Sequence, residues 1–333
     1  MVNILLYGTG SVGAIYLHQL QRANCTVTAV CRSNHAAVHE NGFTLHSPRF
    51  GTVTYRPDHL TRSLTDCPDD ITYDYILITT KALSPDTRPT LAEQLRPLLT
   101  SPAHNTTPNT AIVLAQNGID IEQALADAYP AHPLLSAVIY LPATQSPPGT
   151  VHHAEPLNRI EVGTYPACAP AHHKAAASRF RDLMAAGGGD AVLKDDIQTA
   201  RWSKLLLDAS WNPICALSLC TDGGFLLTST PFARDLVWGI MMEIVALAAK
   251  VGVPGVDEDA AREKLAIAER RAETGTGREM SMLQDVRAGR PFEVEVILGN
   301  TVRLGRRWGV EMPRLETVYA LAKGRYDVLV GSA

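Results

Sequence analysis

A short apolar segment at residues 4–7 runs directly into Gly8-Thr9-Gly10-Ser11-Val12-Gly13, followed by an amphipathic stretch at 14–22 and a β-rich stretch at 26–30. Strand, G-x-G-x-x-G, helix and strand within about thirty residues form a dinucleotide-binding signature, because each glycine has its own physical task. Gly8 permits the tight turn out of the strand, Gly10 lets the backbone approach a pyrophosphate, and Gly13 allows the helix to pack closely. The helix N-terminus then faces the negative charge. Thr9, Ser11 and Val12 are the intervening members of this candidate cofactor-binding loop.

The end of the second strand selects the cofactor. NAD enzymes usually place an acid there to hold the ribose 2′-hydroxyl, but this chain has Cys31-Arg32-Ser33. Arg32 suits a bidentate contact with a 2′-phosphate and Ser33 adds a hydroxyl, so NADP(H) is expected rather than NAD(H). Further on, Asp74-Tyr75-Ile76-Leu77-Ile78-Thr79-Thr80-Lys81 and Thr110-Ala111-Ile112-Val113-Leu114-Ala115-Gln116-Asn117-Gly118 read as buried parallel strands with polar ends. Ligands of open α/β sheets collect at the carboxyl ends of strands, which makes Lys81 and Asn117 candidates for the cofactor or substrate. A helix is expected over 85–99 and a surface loop over 101–109. The β-like segments 134–141, 149–153 and 159–162 are expected as late strands of the same sheet.

Length and charge bound the rest. At 333 residues the chain has room for about two domains. A net charge of -4 and a pI near 6.3 give no reason to expect nucleic acid or a membrane as partner. The six cysteines are scattered without a CxxC pair, and the paired histidines at 152–153 and 172–173 read as surface, so no metal site is indicated. The N-terminus lacks the pattern of a secretory signal, and the apolar run 237–251 contains Glu243 and Lys250 and reads as a buried helix. A reducing, cytoplasmic setting is the expectation.

From about residue 195 the pattern is helical, which divides the chain into a nucleotide-binding domain at 1–195 and a helical domain at 196–333. Thr230-Pro231 is expected to open a long helix closing near Gly252, and a second is expected over 257–274. Within the apolar run 201–213, Lys204, Asp208 and Asn212 recur every four residues, so a helix places them on one face while Trp202, Leu205, Leu206 and Ala209 look elsewhere. Such a stripe points at water, at a ligand or at a partner. Carbonyl chemistry needs a cation or proton donor at oxygen, and Lys204 supplies one. Glu293, two residues after Pro291, falls in the first turn of a further helix, where an acid also suits the helix dipole.

Several of these motifs occur together in one family. Gly8-x-Gly10-x-x-Gly13, Thr80-Lys81-Ala82, Asn117-Gly118, Trp202-x-Lys204 with Asn212-Pro213, and Ser281-Met282-Leu283-Gln284-Asp285 followed by Glu293 give a chain that resembles the ketopantoate reductase (2-dehydropantoate 2-reductase) family. That family lies in the 6-phosphogluconate-dehydrogenase-like group. The resemblance implies a Rossmann-type doubly wound α/β sheet followed by an all-α C-terminal domain. It also implies NADPH-dependent reduction of a 2-oxo acid to a 2-hydroxy acid, ketopantoate to pantoate in pantothenate biosynthesis. By the same resemblance Lys204 donates the proton, Glu293 assists, Ser281 holds the substrate carboxylate, and Asn212 lines the substrate. Lys81 and Asn117 match cofactor and substrate residues, and Arg32 matches a basic residue that selects NADPH. Two positions depart: Asp208 and Asp222 stand where the family pattern has asparagine. Either acid can accept a hydrogen bond from a substrate hydroxyl, and Asp208 would compete for the Lys204 ammonium. The alternatives are a related reductase of another 2-oxo acid or an imine, and a non-catalytic NADP(H)-sensing protein. A homodimer is compatible with the resemblance; the sequence does not read out assembly.

Overall fold

The computed structural model describes residues 1–84, 88–100 and 106–331. These residues pack as two compact units. The first takes those within Met1–Thr80, Arg88–Gln116 and Glu122–Ile197, and the second those within Lys81–Thr87, Asn117–Ile121 and Gln198–Ala333. Two short excursions from the N-terminal part, carrying Lys81 and Asn117, thus belong to the helical unit.

The first unit opens with β1 (Val2–Tyr7), α1 (Ser11–Arg22), β2 (Cys25–Val30), α2 (His35–Asn41), β3 (Phe43–Ser47), β4 (Gly51–Tyr55) and β5 (His59–Thr61). It continues through β6 (Tyr75–Ile78), α3 (Leu91–Thr100), β7 (Ala111–Leu114), α4 (Gln123–Ala128), β8 (Leu134–Tyr140) and β9 (Ala143–Gln145). It closes with β10 (Thr150–His153), β11 (Arg159–Thr164), α5 (Ala171–Ala186) and β12 (Asp190–Leu193). The main sheet has the order β12-β11-β8-β7-β6-β1-β2-β5. Its strands are parallel except for the β11–β8 pair. The Tyr-Ile-Leu-Ile of β6 and Ala-Ile-Val-Leu of β7 are buried throughout, as expected for parallel strands covered on both faces. Strand order reverses at β1, with β2 on one side and β6 on the other, so the carboxyl ends of β1 and β6 form the switch point where such sheets bind ligands.

Segment 149–153 departs from the expectation that it extends this sheet. It forms β10 of a separate four-stranded sheet, ordered β4-β3-β10-β9, where it runs parallel to β3 and antiparallel to β9. Strands β3 and β4 of that sheet come from residues 43–55, and period alone does not reveal which strands pair. The expected helix at 85–99 is seen at Leu91–Thr100; its first positions, 85–87, and positions 101–105 of the expected loop lie outside the described residues.

The second unit is built from α6 (Ile197–Ser218), α7 (Asp222–Thr228), α8 (Ala233–Val251), α9 (Glu258–Glu273), α10 (Ser281–Arg287), α11 (Asn300–Trp308) and α12 (Pro313–Gly331). Among its described residues there is no strand. Helix α8 starts later than Thr230-Pro231 suggests, because Thr230 accepts from the Ala233 N–H in a preceding turn at 3.0 Å instead of capping the helix. It ends at Gly252 with φ 88°, a left-handed cap that glycine takes without a Cβ clash. Asp257 caps α9 by accepting from Ala260 N–H at 2.9 Å. Before α11, residues Glu295–Gly299 form a π-helical turn. Glu293 lies just ahead of the first helical residue, Val294, instead of within the first turn, and its carbonyl accepts from Ile297 N at 3.3 Å. The inserted residue of a π turn is not encoded in 3.6-residue periodicity.

Trp202, Leu205, Leu206 and Ala209 of α6 belong to one buried apolar cluster of this unit that also holds Val237, Ile240, Met241 and Ile244 of α8, Leu283 of α10 and Ile297. Leu206 is fully buried. Leu206→Ala is expected to lower stability by about 2–5 kcal/mol, the range for a buried leucine replaced by a cavity, as read from the denaturant midpoint.

Candidate active site

In the first unit the glycine loop caps the switch point. Gly8 has φ +100°, and a Cβ there would lie 2.6 Å from the Thr80 backbone nitrogen. A Cβ on Gly13 would strike the Gly8 carbonyl, which also accepts a hydrogen bond from Thr79 Oγ1. At Gly10 the same construction meets nothing within 4 Å. The loop is therefore tight where it touches protein and open where a ligand would approach. Gly10 is the N-cap of α1 and no side chain caps the helix. The first helical hydrogen bond is Ala14 N–H to Gly10 O, so the N–H groups of Ser11, Val12 and Gly13 precede the intrahelical ladder, as at any helix start, and suit an anion. Those features fit a dinucleotide pyrophosphate.

Two residues not foreseen from sequence hold this loop. Asn34 Nδ2 and Gln145 Nε2 both donate to the Thr9 carbonyl, at 2.8 and 3.2 Å. The Thr9 hydroxyl lies 2.6 Å from Cys31 Sγ. Arg32 and Ser33, between these anchors, are exposed.

In the second unit the polar stripe of α6 is real but not solvated: Asp208 and Asn212 are buried. Lys204 Nζ donates to Asp208 Oδ2 at 2.6 Å and to Asn117 Oδ1 at 2.7 Å. Asn212 Nδ2 donates to Asp208 Oδ1 at 3.3 Å, and Asn212 Oδ1 accepts from Ser281 Oγ at 3.0 Å and from Met282 N at 3.1 Å. On the other side, Asn117 Nδ2 donates to Glu293 Oε2 at 2.9 Å, and Ala82 N donates to Glu293 Oε1 at 3.2 Å. Ser281, Asn212, Asp208, Lys204, Asn117 and Glu293 thus form one continuous hydrogen-bonded chain. With an acid at one end of its amide and an ammonium at the other, Asn117 has only one sensible orientation.

The segment carrying Asn117 is fastened by groups without a periodic signal. Buried Arg201 donates to Gly118 O at 2.8 Å, Asn300 Nδ2 donates to Ile119 O at 2.7 Å, and Ile119 N donates to Val296 O at 3.1 Å. Gly118 has φ +92°, and a Cβ there would lie 2.5 Å from Val296 O. Lys81 is not isolated either: its Nζ lies 2.5 Å from Asp285 Oδ1 and 3.1 Å from Pro291 O, and Arg290 shares the same carboxylate. Asp285 stood inside a recognised motif, yet its ion pair has no sequence signal.

Asp222, like Lys81, is a candidate of this unit that the structure keeps out of the chain. Its Oδ2 pairs with Arg271 Nη1 at 2.5 Å, and its Oδ1 accepts from Arg278 N at 2.6 Å and Gly223 N at 2.7 Å.

Burial pushes the Glu293 carboxyl above the usual 4.5; the Asn117 hydrogen bond, the Lys81 charge and the Ala82 N–H oppose it, and Asp285 adds to the rise. Burial likewise raises Asp285, opposed by Lys81 and Arg290.

A mostly parallel sheet with a glycine loop at its switch point, followed in the chain by a helical unit that holds a half-buried lysine between two acceptors, defines a two-domain oxidoreductase that uses a nicotinamide cofactor. Two family descriptions match: "Ketopantoate reductase PanE/ApbA" over residues 4–167 and "Ketopantoate reductase PanE/ApbA C terminal" over 196–326. The crystal structure of 2-dehydropantoate 2-reductase from Methylococcus capsulatus is 34% identical, covers 97% of this chain and 96% of its own, and superposes with a TM-score of 0.79. An uncharacterized Saccharomyces cerevisiae protein is 28% identical over 96% of this chain and 92% of its own. A D-mandelate dehydrogenase solved with NADH and anilino(oxo)acetate shares the fold, with a TM-score of 0.83 at 21% identity and 99% coverage of both chains. The chain belongs to the ketopantoate reductase family.

The raised Glu293 value has a signed consequence. A carboxyl whose folded pKa exceeds its unfolded one binds more protons in the folded state, so its contribution to stability falls as pH rises from about 4.5 through the raised value. The thermal midpoint of the wild type is expected to decline with pH over that window more than that of Glu293→Gln. Parallel pH profiles of the two proteins would contradict the assignment.

Proposed function

We propose that the protein reduces a 2-oxo acid to a 2-hydroxy acid with NADPH, ketopantoate being the first substrate to test, and that Lys204 is the proton donor. The observation that carries this reading is the fixed ammonium. An ammonium has three N–H groups. Asp208 and Asn117 accept from Lys204, so two of the three orient the group and one is left for a ketone oxygen. The bound nicotinamide supplies the hydride, and reduction leaves negative charge on that oxygen. Lys204 stabilises the charge and delivers a proton there. Glu293 acts one step back: by accepting from Asn117 Nδ2 it aims Asn117 Oδ1 at the lysine.

Ser281 is exposed and its hydroxyl proton rotates, so it can turn from Asn212 toward the substrate carboxylate. The backbone of residues 8–13 would hold the pyrophosphate and Arg32 a 2′-phosphate. Lys81, although paired with Asp285, is 39% exposed in its side chain and retains N–H groups for a cofactor or substrate anion.

Asp208 favours keeping a second reading open within the same chemistry. Its carboxylate partly neutralises Lys204, which suits another 2-oxo acid, one bearing a hydrogen-bond donor near the ketone. The D-mandelate dehydrogenase neighbour, with its NADH, supports including aryl 2-oxo acids and NADH in the assay.

Lys204→Ala is expected to bind NADPH as the wild type does, measured by fluorescence titration, and to lose about 10²- to 10⁴-fold in kcat. Retained turnover would remove the proposed role. A panel of 2-oxo acids run with NADPH and NADH locates the substrate by the highest kcat/KM, and equal use of NADH would overturn the Arg32 argument.

A further inference from the structure

The oxygens of Asp222 are its most informative feature. The residue is 2% exposed at the start of α7, and its carboxylate meets three donors drawn from three stretches of chain: Gly223 N, Arg278 N and the Arg271 guanidinium. Arg278 O accepts from Asp222 N in return, at 3.2 Å. Other links of residues 274–280 are local. Thr276 N donates to Arg271 O at 2.8 Å, and Gln284 Nε2 donates to Glu279 O at 3.0 Å. Close approach at this seam depends on two glycines: a Cβ on Gly223 would strike Thr276 O, and one on Gly277 would strike Thr221 Oγ1.

This seam ends at Ser281, the first residue of α10. Asp222 lies only a few residues beyond the end of α6, the helix that carries Lys204, Asp208 and Asn212. The carboxylate therefore ties the exit of the lysine helix to the loop that delivers Ser281 to Asn212. Because Asn212 Oδ1 accepts from both Ser281 Oγ and Met282 N, a shift of that loop moves the serine relative to the whole stripe.

Resting on the 2-oxo acid reading, we infer that Asp222 is a positioning residue for substrate binding: with Arg271 it clamps residues 274–280 so that Ser281 is held at the distance from Lys204 that a 2-oxo carboxylate spans. It does not touch the substrate. Its oxygens are engaged by protein donors, and a carboxylate would be a poor neighbour for the substrate's own. Arg271 acts through Asp222 in the same way.

The test compares Asp222→Asn, Arg271→Gln, Arg271→Lys and the double variant Asp222→Asn/Arg271→Gln. The readouts are steady-state kinetics with the 2-oxo acid varied at saturating NADPH, and hydrogen exchange of the amides of residues 278–282. Each of the first two is expected to raise KM by about ten- to a hundredfold, the scale of a small misplacement of a binding group, with kcat changed much less. Arg271→Lys should restore most of the KM, and the double variant should be no worse than the poorer single one, because both remove one clamp. Exchange at 278–282 should rise in the same variants, while NADPH affinity stays unchanged. A KM increase in Asp222→Asn with none in Arg271→Gln would make Asp222 a direct substrate ligand and overturn the inference. Lower thermal stability with unchanged KM in both would reduce the clamp to a structural bond and overturn it as well. Wild-type protein that binds NADPH but reduces none of the 2-oxo acids would instead overturn the functional reading on which the inference rests.

Discussion

An ammonium taken out of water must be met by acceptors, and the second unit is arranged around that requirement at Lys204. The side chains of Lys204 and Asp208 are 14% and 11% exposed, so their contact is not a surface ion pair. Exposed pairs contribute about 0.2–1 kcal/mol, whereas removing one partner of a buried pair costs about 3–5 kcal/mol because the other charge is stranded. Asp208 and Asn117 therefore cannot be independent of the lysine. Asp208 comes with the helix, one turn along; Asn117 must be brought in from a distant part of the chain. Arg201, Asn300 and the Val296 backbone do this by binding three consecutive residues, 118–120, through their main chain. Main-chain anchoring leaves the Asn117 side chain for the lysine.

The arrangement also gives each of these cations an acid partner, shared in one case. Lys204 has Asp208, Lys81 and Arg290 share Asp285, and Arg271 has Asp222. Among the described residues no arginine or lysine is bonded to the Glu293 oxygens; they accept from a side-chain amide and a backbone N–H. Burial dominates its titration despite two hydrogen bonds, as it dominates that of Asp285 despite two cations. Neutral donors stabilise a carboxylate less than a cation in contact, and Lys81 acts on it only at a distance, its ammonium being committed to Asp285. A second full cation against Glu293 would also face Lys204 across Asn117. The amide between them keeps the acid and the ammonium apart while coupling their geometry.

Periodicity and glycine chemistry made a good part of this legible from sequence. The nucleotide loop was readable because its constraints are local: Gly8 at positive φ and Gly13 against a carbonyl are dictated within six residues. The four-residue recurrence of Lys204, Asp208 and Asn212 was readable because helix geometry alone places them on one face. What could not be read depends on tertiary partners. Whether the stripe faced water or protein was undecided until Asn117 and Ser281 were seen to meet it. The separate sheet of β3, β4, β9 and β10 uses strands far apart in sequence, so period-2 alternation could not assign their neighbours. The helix after Pro291 starts at Val294, one residue beyond Glu293, and runs into a π turn that no propensity signals; the bonds of Asp222 to Arg271 and the 278 loop had no sequence signal either. Asn34 and Gln145, polar residues in unremarkable contexts, gave no sign that both would converge on one carbonyl.

That convergence bears on cofactor choice. A trans peptide is planar, so fixing the Thr9 carbonyl toward Asn34 and Gln145 sends the Gly10 N–H to the opposite side. The orientation of a group suited to the pyrophosphate is thereby set by side chains that need not touch it. Asn34 is also two residues beyond Arg32, and Cys31 on the other side is held by its N–H to Thr61 O at 2.9 Å as well as by its contact with Thr9. The backbone that carries Arg32 is thus pinned before and after the exposed pair, and in the proposed reading only side-chain freedom is lost when the guanidinium closes on a 2′-phosphate. Ordering a long side chain costs about 0.5–1.5 kcal/mol, whereas ordering a loose loop would add about 1–2 kcal/mol for each backbone residue fixed. In that reading the same anchors rigidify the glycine loop and lower the entropic cost of discriminating between the two nicotinamide nucleotides.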